Sequence, residues 1–554
     1  IVVGSGITGG WAAKELTEKG AETLVLERGP MVEHGDYPTE STRPWEAEFR
    51  GRADREKMQR DHYVQSQAGP VTPYNVHFFA NDRKNPYTHD EDQPFLWIRG
   101  HQVGGRSLTW GRQCYRWGPL DFEANARDDY GVDWPIRYDD IAPWYDYVEK
   151  FVGISGREEG VPHVPDGQFL PPMEMNCVER AVKAGLEEHF PNRLMTIGRV
   201  ANLSEAHNGR GPCQYRNQCS RGCSFGAYFS SQSATLPAAR KTGNMTLRPN
   251  SIVHSVKYDG ESGRATGVRV IDRETEEALE FRGRLIFLCA STLGSTQILL
   301  NSTSARFPDG LANSSGVLGH YLMDHPFKVG AQAEFPGLDG TYYGRRPTGT
   351  YIPRFRNLRD PSTHQSDFLR GYAVYGYGGQ PSWRRGIDGT EFGKSLKESL
   401  RSPGSWQMNL MGLLAMLPRR ENYVELDPDV TDAWGIPVLR IHCETGENAA
   451  AMREDIKTST AEMLEAAGGQ NVTTYDLPFT PGEGIHEMGT ARMGRDPDTS
   501  VLNEWNQAHD VPNLFVTDGA CMASSACQNP SITYMALTAR AVDYAVRQVN
   551  QGEL

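Results

Sequence analysis

Two short motifs in the last seventy or so residues carry the side chains best suited to chemistry: His486-Glu487-Met488-Gly489-Thr490 and Asn529-Pro530-Ser531. An imidazole, with an ordinary pKa of about 6.5, can take the proton of an alcohol while hydride leaves the same carbon. A carboxamide beside it can offer a hydrogen bond to the substrate oxygen. Taken singly, the histidine reads equally well as structural, and Asn-Pro as a helix cap and first helical position.

Something must hold a hydride acceptor beside these groups. The chain opens on Ile1-Val2-Val3-Gly4-Ser5-Gly6-Ile7-Thr8-Gly9, a buried strand running into a glycine turn, and Trp11 to Leu16 reads as the following helix. Such a turn lets backbone approach a pyrophosphate at a positive helix end. A second strand, Glu22 to Leu26, ends at Glu27, about twenty residues beyond the glycines, where a carboxylate can accept from a ribose hydroxyl. Strand, turn, helix and acid together predict a dinucleotide site; nicotinamide and flavin nucleotides share the pattern.

Other segments extend this site. Val103-Gly104-Gly105-Arg106-Ser107-Leu108-Thr109 is a second glycine loop that can bring backbone near a flat ring, with a plain tight turn as the alternative. Strand-like runs follow at Thr246–Arg248, Ile252–Val256, Gly267–Val270 and Leu285–Ala290, the last leading through Ser291–Ser295 into a helix. Asn513 to Ala520 is a buried strand ending in Asp518-Gly519, suited to meet a cofactor's linker. Beyond Pro530, the apolar residues Ile532, Met535, Ala536, Ala539, Val542, Val546 and Val549 recur at helical spacing.

Length and composition agree. A chain of 554 residues implies two domains, with interleaved segments allowed, and the 23% charged fraction, 10% aromatics and net charge of −13 describe an ordinary globular protein without the basic surface of a nucleic-acid binder. No apolar run is long enough for a membrane-spanning helix. The chain starts inside a strand with no signal-like region, which fits a leader removed or carried by another subunit: periplasmic if exported with a partner, cytoplasmic otherwise.

The nine cysteines are an odd number, which argues against a disulfide framework. Cys213, Cys219 and Cys223 share one Gly- and Arg-bearing loop. Three close thiolates can ligate a three-iron cluster; a zinc site completed from elsewhere, or unligated packing cysteines, are the other readings.

In their order along the chain these motifs resemble the glucose-methanol-choline (GMC) oxidoreductase family, over nearly the whole length. The resemblance implies an α/β fold: a Rossmann-like FAD-binding domain interleaved with an α+β substrate domain built on an antiparallel sheet. It places the FAD-binding parts at 1–32, 205–300 and 483–554, an excursion or lid at 33–95, a flavin-contacting loop at 96–115, and substrate-domain segments at 116–204 and 301–482. By carry-over, His486 is the catalytic base and Asn529 its partner, with hydride passing to flavin N5. Cofactor contacts are expected from Gly4 to Gly9, Glu27, Arg28, Gly104, Gly105, Ser107, Thr109, Val253, Ala290, Asp518, Gly519 and Asn529 to Ser531.

Thr109 stands where pyranose oxidases carry a flavin-linking histidine, so FAD is expected without a covalent bond. The cysteine spacing is similar to that of bacterial FAD glucose and fructose dehydrogenases, which carry a three-iron, four-sulfur cluster. That similarity implies a dehydrogenase for a sugar or glucoside, glucoside 3-dehydrogenase first, with an export subunit and a cytochrome c as partners. Gluconate, glucose or fructose dehydrogenase, an oxygen-using glycoside oxidase, and a flavin electron-transfer subunit are the alternatives. Trp110, Trp383 and Trp406 are candidates to stack on sugar, although large aromatics more often serve the core. Asp324-His325-Pro326 is a candidate second acid-base pair, with a turn before proline the preferred reading.

Overall fold

The computed structural model describes the chain apart from residues 36, 38–41, 43–45, 47–53, 70, 73, 343, 382–385, 387–389 and 402. Two sheets organise it. Their strands are β1 (Val2–Val3), β2 (Thr23–Leu26), β3 (Thr196–Ile197), β4 (Met245–Arg248), β5 (Ile286–Leu288), β6 (Val329–Phe335), β7 (Thr350–Ile352), β8 (Tyr372–Gly379), β9 (Trp406–Leu414), β10 (Gln470–Asp476) and β11 (Leu514–Val516). The helices that matter for the site are α1 (Ile7–Glu18), α2 (Tyr138–Val152), α3 (Thr292–Leu300), α4 (Glu447–Ala466) and α5 (Ser531–Gln551).

The first sheet is parallel throughout, in the order β11-β5-β1-β2-β4. Its central strands are short uninterrupted apolar runs, as expected for a sheet covered on both faces. Val2 lies between Phe287 and Val25. Both α1 and α5 pack beside it, Ala12, Ala13 and Leu16 sharing a buried cluster with Ala541, Val542 and Ala545. The stripe along α5 is buried from Ile532 to Val542, and Val546 and Val549 pack against that cluster from its edge.

The second sheet is antiparallel, in the order β10-β6-β9-β8-β7-β3. Helix α4 lies on it so closely that a Cβ on Gly412 would stand 2.5 Å from Ile456, so the glycine sets the packing distance. Met452, Ile456, Met463 and Leu464 from α4 join Met408, Leu410 and Val374 in the core between them.

Two further groups of strands pair outside these two sheets. Ser251–Asp259 pairs with Arg264–Asp272, and that strand with Ala278–Arg282, in a separate antiparallel sheet. Tyr423–Thr431 pairs with Pro437–His442, which in turn meets Thr88–His89. Alternation marks a half-buried strand but says nothing of its partner.

Candidate active site

Between the two sheets lies a cavity of about 720 Å³. At one end stands the opening turn. Gly4 adopts a left-handed φ of +94°, and a Cβ there would meet the Cys289 carbonyl at 2.4 Å. A Cβ on Gly9 would come within 2.0 Å of the Gly4 carbonyl, so this glycine lets the helix pack under the turn without itself facing the cavity. Gly6 differs: a Cβ there would enter open space. Gly4, Ser5, Gly6, Ile7 and Thr8 all line the wall.

Glu27 and Arg28 also line it. The buried Glu27 carboxylate accepts from the Ser5 amide (3.1 Å), the Ser5 hydroxyl (2.7 Å) and the Gly29 amide (3.0 Å), locking the second strand to the turn. Burial raises its pKa against the pull of those bonds. Gly105 crosses just above the turn, where a Cβ would lie 3.1 Å from the Gly6 Cα; Ser107 and Thr109 follow along the wall. Gly104 lies behind, its amide donating to the Ser5 hydroxyl. Val253, Ala290, Asp518, Gly519 and Ser531 reach the cavity, while Pro530 does not.

At the other end, His486 and Asn529 meet. The Asn529 Nδ2 lies 3.2 Å from His486 Nε2, and the Tyr375 hydroxyl donates to Asn529 Oδ1. Asn529 was expected as a helix cap. Instead α5 begins at Ser531 with Pro530 at its cap position and no side-chain cap, and the Asn529 amide is committed to His486 and Tyr375. Burial holds the His486 pKa well below 6.5, helped by His325 and Arg106, so the imidazole is neutral and can accept a proton.

Asp324-His325-Pro326 is more than a turn. The buried Asp324 carboxylate gathers the amides of Gly482 (2.8 Å), Gly484 (3.0 Å) and His486 (3.1 Å), and its pKa is pushed up to about 6 by burial and by Glu487. His325, fully buried, lies with its Nδ1 2.9 Å from His486 Nδ1. Arg106 of the second glycine loop grips Glu487 with both terminal nitrogens, at 3.2 and 2.9 Å, and Ser291 with one, at 2.7 Å. Sequence reasoning set Asp324 and His325 aside as a turn before proline, and missed Tyr375 and this ion pair.

The three loop cysteines line no part of this cavity, although Ser220 between them does. Burial raises the Cys213 pKa, and the nearby Cys219 and Cys223 add to that rise. Among the described residues no three His, Cys, Asp or Glu side chains converge enough to hold a metal ion. In this arrangement the loop does not fit a cluster, and no chemical step is routed through one. Trp110 lines the cavity, Trp406 lies in the substrate-side core, and Trp383 is outside the described residues.

The cavity suits a dinucleotide with a flat ring: open space at Gly6, backbone close at Gly105, and, deeper in, the buried Tyr534 hydroxyl with no partner among the described residues. Residues 1–327 and 418–538 match two family models, each described as GMC oxidoreductase. The chain belongs to the GMC oxidoreductase family. It is therefore an FAD-dependent oxidoreductase acting on CH–OH donors.

GMC relatives extend along the whole chain. It is 30% identical to the 2-methyl-1,2-propanediol dehydrogenase of Mycolicibacterium austroafricanum, over 99% of this chain and 95% of that one. It is 28% identical to the fructose dehydrogenase large subunit of Gluconobacter japonicus, over 100% and 98%. The fold matches a pyridoxine 4-oxidase from Mesorbium loti (TM-score 0.60, 18% identity, 99% and 98% covered) and an Aspergillus oryzae formate oxidase (TM-score 0.63, 14% identity, 100% and 98% covered). Among the described residues no helix is long and apolar enough to cross a membrane.

Proposed function

We propose that the protein is a dehydrogenase oxidising a hydroxyl of a sugar or glucoside to the ketone, glucoside 3-dehydrogenase being the favoured form. The observation that carries this reading is the meeting of His486 and Asn529 at the wall of the cavity that the glycine turn also lines. FAD, when bound without a covalent link, supplies the hydride acceptor. The turn from Gly4 to Thr8, Glu27 and the Gly105–Thr109 loop hold the cofactor, and Gly69 and Phe79, from the stretch expected to form a lid, contribute to the wall. The neutral His486 takes the hydroxyl proton at Nε2, while Asn529, its amide oriented by Tyr375, holds the substrate oxygen.

The sugar reading draws support from the relatives named as fructose dehydrogenase large subunit and gluconate 2-dehydrogenase flavoprotein, and the word subunit in the first name supports assembly with other chains. The relative named as paromamine 6'-oxidase, at 27% identity, favours a second reading, an oxygen-using glycoside oxidase. The spacing of Cys213, Cys219 and Cys223 is the sole support for a three-iron, four-sulfur cluster, and because their arrangement does not fit one, no electron route through it is part of this reading.

The experiment is substrate-dependent dye reduction by wild type and His486→Ala, with peroxide, iron and acid-labile sulfide measured alongside. The variant is expected to lose at least about a hundredfold in turnover with FAD content unchanged. Full dye reduction by the variant ends the assignment. Stoichiometric peroxide moves it to the oxidase reading, and an iron-free yellow protein removes the cluster.

A further inference from the structure

We propose that His325 is a positioning residue that fixes His486 as the tautomer able to act as a base, an inference that rests on the role proposed for His486. The argument begins at Tyr375, whose hydroxyl donates to Asn529 Oδ1 and so settles which end of the amide faces His486. The end turned to His486 is Nδ2, a donor only, and the atom 3.2 Å away is Nε2. Nε2 therefore presents a lone pair. A neutral imidazole with a lone pair at Nε2 carries its proton at Nδ1.

That Nδ1–H needs an acceptor in a buried site. It has one: His325 Nδ1 at 2.9 Å, on a ring set edge-on at 81° with centroids 5.0 Å apart. Two nitrogens at this distance share one hydrogen, so His325 accepts and keeps its own proton on Nε2. That nitrogen is buried and has no hydrogen-bond partner among the described residues; the Ala526 carbonyl lies near enough to favour its protonated form. Burial keeps His325 neutral, with a pKa lowered to about 4, so its lone pair stays available.

The backbone holds both rings in place. Asp324 accepts from the His486 amide at 3.1 Å, and the neighbouring Pro326 carbonyl accepts from Leu414 in β9 at 3.0 Å. When the substrate O–H bond breaks and an N–H bond forms at His486 Nε2, the new imidazolium has its second N–H directed at the His325 lone pair. The carbinol C–H electron pair leaves with the hydride to FAD, so protons and electrons balance. The imidazolium is thus stabilised without a carboxylate facing His486 Nδ1.

The test uses FAD-loaded enzyme with His325→Asn and His325→Phe. Asparagine places an oxygen acceptor near the lost Nδ1, while phenylalanine fills the volume and accepts nothing. His325→Phe is expected to slow cofactor reduction about a hundredfold at nearly unchanged KM, and His325→Asn to lie within about tenfold of wild type. The reverse order, or equal impairment of both with full FAD content, overturns the proposal. A second readout needs no substrate: nitrogen-15 histidine spectra, assigned with His486→Ala, should show His486 protonated at Nδ1 and bare at Nε2. A wild-type His486 protonated at Nε2 also overturns it, even where His325→Phe fails to fold. This spectrum is independent of whether the substrate is a sugar, so failure of the function reading and failure of the tautomer assignment are told apart.

Discussion

A histidine works as a base only while it is unprotonated, and here its surroundings decide that. Burial comes first in depressing the His486 pKa, followed by His325 and Arg106. A base with a depressed pKa is already neutral below its ordinary titration range, so activity rises with pH through the lowered value and is flat above it. The acidic limb of kcat/KM should accordingly lie below pH 6.5. A pH–rate profile of the FAD-loaded enzyme checks this, and a limb centred above that value would mean that His486 does not act in its buried, neutral form. Of the residues in this constellation, His486 and Asn529 were legible as a pair because each sits in a compact motif. Tyr375 was not, since it reads as one more aromatic in an alternating strand.

At the level of elements, the strand-turn-helix at the N-terminus separates two jobs that glycine can do. Gly9 makes room for protein: its missing Cβ would strike the Gly4 carbonyl at 2.0 Å. Gly6 makes room for something else, since a Cβ there meets no protein atom within 4 Å. At Gly6 φ is −68°, outside the left-handed region that Gly4 occupies. We predict that Gly6→Ala leaves the unfolding midpoint of FAD-free protein within a degree or so while weakening FAD binding at least about tenfold, whereas Gly9→Ala lowers that midpoint by several degrees. Titration with FAD and thermal unfolding of both variants check this; equal behaviour would show that Gly6 does not face the cofactor. A second link between elements is the Arg106–Glu487 pair, Glu487 being 1% exposed and Arg106 24%. It ties the second glycine loop to the residue following His486, so the cofactor loop and the base are set relative to each other by one ion pair.

Over the whole molecule, the cavity is walled by segments drawn from both sheets and from nearly every third of the chain, including Gly6, Arg106, Val253, Tyr375, His486 and Asn529. A ligand filling such a space binds the folded state alone, and at a hundred times its dissociation constant that is worth about 2.7 kcal/mol. Removing FAD should therefore lower the unfolding midpoint, and added FAD should raise it progressively with concentration. Calorimetry of stripped and reloaded protein measures this. A midpoint indifferent to FAD, in protein shown to bind it, would place the cofactor outside the interior walls described here.

The local features were settled by sequence alone: a glycine turn after a buried strand, an acid at the end of the next strand, an amphipathic terminal helix, and two motifs with groups able to move a proton. Each depends on neighbours a few residues apart, where backbone sterics and side-chain periodicity act directly. Tertiary structure alone decided the pairing of Ser251–Asp259 and of Tyr423–Thr431, the release of Asn529 from its cap, and the contact of His325 with His486 across 161 residues of chain. Those outcomes turn on which distant surface each side chain is buried against. A hydrogen bond of 2.9 Å between two buried rings leaves no periodic trace in the sequence that folds to make it.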